Sequence, residues 1–145
     1  MKTKLILLSL ITSFTFAHEG VELGPNKGRI LEFSKNETMH GEVIVKGDKF
    51  HIALLDKDMK SVAMADQTLT ATTGERDKPV KLVVEKDAKG FVVPVVKAGE
   101  WLILQYKDTP KAKAVTARLE YNTSECEACK KAEWLCECKP EGAKK

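Results

Sequence analysis

The chain reads as an all-β protein: an antiparallel β-sandwich of the immunoglobulin-like kind with a short Cys-rich C-terminal appendage. Three observations predict this. Between Gly28 and Tyr121, short apolar or alternating runs rich in β-branched residues are split by Gly, Pro, Asp and Lys, the pattern of half-buried strands. Few segments in that stretch hold a 3.6-residue period, so crossover helices are not expected and neighbouring strands pair antiparallel. All four cysteines lie beyond it, at Cys126, Cys129, Cys136 and Cys138. An open barrel is the second architecture that fits the pattern.

In chain order, residues 1–17 read as an export signal. Lys2 and Lys4 precede an apolar run from Leu5 to Phe16, and Thr15-Phe16-Ala17 offers small residues at a cleavage site. The run is too short to span a bilayer, which takes ~20 residues, and no cysteine follows it to carry a lipid. The expected mature chain is exported, periplasmic or secreted, has no membrane span, and begins at His18. Its formal charge falls from +3 to about +1 once Lys2 and Lys4 are gone. A nearly balanced charge does not suggest a nucleic-acid partner, because such domains cluster basic residues on one face.

Residues 18–121 form the expected β-domain. Its strands are Arg29–Phe33, Gly41–Lys46, Lys49–Leu55, Gln67–Thr72, Val80–Glu85, Phe91–Val96, Glu100–Tyr106 and Ala114–Tyr121. In the last of these, Val115, Ala117, Leu119 and Tyr121 alternate with Thr116, Arg118 and Glu120, which buries one face and wets the other. Gly47-Asp48 suits a two-residue hairpin turn and Asp87-Ala88-Lys89-Gly90 a four-residue one. Pro94 interrupts an apolar run, so its strand should lie at an edge or carry a bulge there.

The first hairpin fixes a register. With Gly47-Asp48 at the turn, Lys46 pairs with Lys49, Ile44 with His51, and His40 with Leu55. Val43, Val45, Phe50, Ile52 and Leu54 then share the core face. His40 and His51 share the other face, ~13 Å apart at 3.3 Å per residue. They cannot hold one ion, and both are expected at the surface or half-buried.

Several residue types could carry chemistry. Cleavage after Ala17 would leave His18 with an α-amine beside its imidazole, a nitrogen pair suited to Cu(II), with Glu19 able to add an oxygen. Met39, Met59 and Met64 are soft thioethers suited to Cu(I), but they lack a ligand spacing and Met fills cores readily. Signatures of common enzymes are missing: no G-x-S-x-G, no phosphate-cradling Gly loop, no H-E-x-x-H, and three histidines in all. Catalysis is therefore not expected.

The stretch Gly24-Pro25-Asn26-Lys27-Gly28-Arg29-Ile30-Leu31-Glu32 resembles the G-P-H-G-G-R-L-x-E motif of periplasmic adaptor subunits of heavy-metal efflux systems and of related small exported β-domains. There the motif follows a His-rich segment and opens a β-domain. Asn26 stands where the motif has His, and Lys27 where it has Gly. The resemblance implies an exported metal-handling protein with a metal-efflux complex as partner. A β-domain opening on His18 is also similar in layout to the CopC-like copper carriers. Read by its residues alone, Gly24-Pro25 and Gly28 make a turn feeding the first strand.

Residues 122–145 form the Cys-rich tail, in which C-x2-C is followed by C-x-C. Ser124 with Glu127 makes a capping box that predicts a short helix beginning near Glu125. On one unbroken helix Cys126 and Cys136 would stand ~15 Å apart, too far for one ion with bonds of ~2.3 Å. A single four-sulfur site therefore requires the chain to turn back within Lys130–Leu135. Residues 132–135 would be the reverse turn, with Trp134 packing the site or docking on the β-domain.

Three readings of the tail stand side by side. The first is a four-thiolate site for Zn(II) or Cu(I). The second is two disulfides, which an oxidising compartment allows; of the three connectivities, the nested Cys126–Cys138 with Cys129–Cys136 would close a compact hairpin. The third is a redox-active C-x-x-C, although no βαβ pattern surrounds it. Lys130 excludes haem attachment, which needs His there. The expected function is binding of copper or zinc for buffering or delivery to efflux. The alternative is a structural or interaction module whose tail is stapled by disulfides.

Overall fold

Alternation along each strand sorts the side chains into an inner and an outer set, and two sheets pack their inner sets together. The structure is a computed structural model that describes residues 21–138. The strands are β1 (Arg29–Glu32), β2 (Met39–Lys46), β3 (Lys49–Asp56), β4 (Thr68–Glu75), β5 (Lys78–Leu82), β6 (Glu85–Asp87), β7 (Gly90–Pro94), β8 (Trp101–Lys107) and β9 (Val115–Glu120). One sheet has the order β1-β2-β3-β7-β6 and the other β5-β4-β8-β9. Every pairing is antiparallel. The antiparallel β-sandwich expected from the sequence is the fold observed.

The core between the sheets holds Val43, Phe50, Ile52, Leu54 and Val93 from one side and Leu102, Leu104, Tyr106 and Leu119 from the other, all essentially inaccessible. Phe33 stacks on Tyr106 with ring centroids 4.7 Å apart, and its ring fills the space a side chain at Gly41 would need. The Tyr106 hydroxyl donates to Asp108, giving the buried phenol a polar partner. Burial and the nearby carboxylate raise its pKa well above the usual phenol value.

The β2–β3 register is the expected one, with Lys46 opposite Lys49, Ile44 opposite His51 and His40 opposite Leu55. His40, however, is buried at 4% exposure, not at the surface or half-buried. Its Nε2 lies 2.9 Å from Glu32 Oε1 and its Nδ1 3.2 Å from the Asp56 carbonyl. Each ring nitrogen thus faces an oxygen, and whichever carries the proton has an acceptor inside the fold.

The expected strand Val80–Glu85 divides between the sheets. Its first half belongs to β5 and its last residue opens β6, while Val83 and Val84 carry the chain across. The unbroken apolar run hides this, because a crossing segment can be as apolar as a strand. Pro94 pairs with Lys49 of β3, and on its other side β6 pairs only as far as Val92. Its missing N–H therefore falls beyond the β6 ladder, at a local edge.

Candidate metal centre

The tail begins where β9 ends and is held by short backbone contacts that seat Trp134 on the core. Trp134 N–H donates to Asn122 O and Glu133 N–H to Ser124 O. Residues 125 and 132 form an isolated antiparallel bridge. Inside that bridge Cys126 N–H donates to Lys131 O and Lys130 N–H to Cys126 O. These bonds close a tight knuckle around the C-x2-C pair, with Lys130 in the left-handed region at φ 60°.

The helix expected from the capping box does not form. Its place is taken by the knuckle and then a single 3-10 turn, Glu133–Leu135. The reversal thus begins at Glu127, earlier than the expected Lys130–Leu135. The 3-10 turn falls inside that expected interval and aims Cys136 and Cys138 back at the knuckle. The backbone bonds of the knuckle and the docking of Trp134 on the core outweigh the weak helix preference of a short segment.

All four sulfur atoms lie within 4.8 Å of one another. Cys126 and Cys136 are 3.3 Å apart, Cys129 and Cys136 3.6 Å, and Cys126 and Cys138 3.9 Å. A tetrahedron with metal–sulfur bonds of ~2.3 Å has edges of ~3.8 Å. A disulfide needs ~2.05 Å, and all four cysteines are unbridged. The four expected ligands therefore come together with the spacing of a four-thiolate site, and the cluster could hold a metal ion. Among the described residues no other group of three or more His, Cys, Asp or Glu side chains converges in this way.

The knuckle also prepares the sulfurs electrostatically. The backbone N–H of Cys129 is the main influence on Cys126. With a hydrogen bond from Cys136 and a further one from the Ala128 N–H, it draws the Cys126 pKa down to about 7. Cys138 is pushed up to about 12, first by its hydrogen bond with Cys136. At Cys136 the Cys138 N–H pulls the pKa down, but the bond to Cys126 and burial outweigh it and the net shift is upward. N–H groups aimed at sulfur favour thiolate, the form that binds metal. Lys131, held 2.6 Å from Glu137, adds positive charge close to Cys129 and Cys136.

Trp134 docks on the β-domain, one of the two roles expected for it. It is 5% exposed, with ring centroids 5.4 Å from Tyr121 and 6.3 Å from Phe50, both edge-on. Arg29 Nη1 reaches the Trp134 carbonyl at 3.3 Å, and Val21 N–H donates to Cys136 O at 3.0 Å. The two ends of the chain singled out by sequence therefore meet. His18, the other expected ligand, lies outside the described residues.

The Gly24–Arg29 loop is organised around a side chain that sequence reasoning missed. Glu42 sits on β2 with 1% exposure. Its carboxylate accepts hydrogen bonds from Asn26 N–H at 2.7 Å, Asn26 Nδ2 at 2.8 Å and Gly28 N–H at 3.1 Å. A Cβ at Gly24 would fall 2.6 Å from the Glu42 carboxylate, and one at Gly28 2.6 Å from Val43 O. Both glycines are thus required for the loop to close over Glu42. The only hint in the sequence was a carboxylate in an otherwise apolar strand, Gly41-Glu42-Val43-Ile44-Val45.

Met39 and Met64 pack against the core. No helix among the described residues is long and apolar enough to cross a membrane. Comparison with protein-family models, with curated proteins and with solved structures returned no match for this chain.

Proposed function

We propose that this chain is an exported metal-binding protein whose four thiolates, Cys126, Cys129, Cys136 and Cys138, hold a single transition-metal ion. One observation carries the reading: the four sulfurs converge with separations near the edge of a thiolate tetrahedron. Tetrahedral S4 coordination suits Zn(II) first, and the softness of the donors keeps Cu(I) as the competing ion. Four protein ligands leave no open coordination position, so the centre stores or stabilises rather than catalyses. Export to the periplasm or beyond is supported by the basic and apolar pattern of residues 1–17. A role in metal buffering or delivery to an efflux complex is supported by the resemblance at Gly24–Glu32. A Cu(II) site at His18 belongs to the same reading.

The test is metal analysis of protein purified with its thiols protected. The expected result is one ion per chain and four free thiols after chelation. The reading fails if the protein carries no metal, takes up neither Zn(II) nor Cu(I), and shows no free thiols. That outcome would leave the disulfide-stapled interaction module.

A further inference from the structure

The G-P-x-x-G-R stretch and the cysteine tail are far apart in sequence, yet they share one surface. Arg29 bonds the carbonyl of Trp134, and Asn26, Lys27 and Gly28 face Trp134 and Leu135 across a shallow cleft. On the other side of the same residues, Asn26 and Gly28 are tied to buried Glu42. The loop is thus rigid toward the sandwich and in contact with the tail. The tail contributes little of its own to stay in place. Its described residues form no strand, make one short 3-10 turn, and bury few apolar groups besides Trp134, Cys126 and Cys136. With Trp134 as its one large buried anchor, such a segment gains much of its order from whatever cross-links its sulfurs.

We propose that the Gly24–Arg29 loop, braced by Glu42, is the receptor for the cysteine module, so that metal capture and docking of Trp134 are one event. The proposal rests on metal binding at the four cysteines and adds what that binding does to the rest of the molecule. Without metal the tail leaves the loop, Trp134 leaves the Phe50–Tyr121 pair, and the Val21–Cys136 bond opens. With metal they close together, and linkage requires the contacts of the loop to strengthen metal binding in return. Arg29 is then a positioning residue: it touches no sulfur, but it holds the backbone two residues before Cys136.

The chain has two tryptophans, and Trp101 is 47% exposed on the outer face of β8. In a Trp101→Phe background, emission therefore reports Trp134 alone. Adding Zn(II) to the reduced, metal-free protein is expected to shift that emission to the blue, saturating at one ion per chain. In the same background Arg29→Ala is expected to weaken Zn(II) about tenfold in competition with a chelator, as loss of an outer-shell partner does. Arg29→Lys should recover part of the loss, and the far-UV signal of the sandwich should not change. Emission that stays the same on loading overturns the proposal while leaving the metal site standing, as does wild-type Zn(II) affinity in a folded Arg29→Ala. If Arg29→Ala fails to fold, the emission experiment decides alone. Absence of any Zn(II) uptake removes the site itself and this proposal with it.

Discussion

Two lysines and one cysteine carry the sharpest residue-scale consequences. Lys27 stands where the resembling motif has Gly, and its φ is 63°, a region that costs a side chain ~1–2 kcal/mol. Lys130 meets the same demand at 60° in the knuckle. Next to Lys27, Asn26 donates to the buried Glu42 carboxylate from both its backbone N–H and its side-chain amide. Lys27→Gly and Lys130→Gly should each stabilise the fold by ~0.5–1 kcal/mol, read as a higher denaturation midpoint. An unchanged or lower midpoint for both would show that the left-handed turns impose no strain. While the tail keeps the arrangement seen in the structure, Cys126 should ionise before Cys136 and Cys138. With its pKa lowered to about 7, it is thiolate above that pH and thiol below, and Cys138 stays protonated until about 12. Alkylation followed against pH and mapped by mass spectrometry should label Cys126 at pH 8 well before Cys138. Metal should be lost as acid protonates the sulfurs.

Elements were legible where one local signal decided them and obscure where two signals competed. Gly47-Asp48 between alternating strands set the β2–β3 register because a two-residue turn allows a single pairing. Val80–Glu85 was misread because Leu82-Val83-Val84 is apolar throughout, and periodicity cannot mark where a strand changes sheet. In the tail, Ser124 and Glu127 spelled a helix start, but backbone bonds to Asn122, Ser124 and Lys131 form a knuckle and a 3-10 turn instead. The role of Glu42 was invisible because its partners lie 14 to 16 residues away, in a loop that sequence alone reads as a plain turn. That loop yields its own prediction. Gly28→Ala would place a Cβ 2.4 Å from Ile44 Cγ2 and 2.6 Å from Val43 O, where backbone cannot move aside cheaply. It should destabilise the protein by ~1–3 kcal/mol in chemical denaturation. A neutral result would show that the loop does not close over Glu42.

At the scale of the whole molecule, the chain's first described residue and its last cysteines come together, Val21 bonding Cys136. The sheets set the position of Phe50 and Tyr121, the first loop supplies Arg29, and the tail brings Trp134 and the four sulfurs. The stretch Gly24–Glu32 and the cysteine tail lie at opposite ends of the chain, and the fold joins them through Arg29 and Trp134, with Val21 bonded to Cys136. The measurement that bears most directly on the central claim is the metal and thiol content of the protein prepared with its cysteines protected. The expected result is one Zn(II) or Cu(I) per chain bound by four sulfurs, with four thiols titratable once a chelator removes the ion. No bound metal, no uptake of either ion and no free thiol would contradict it.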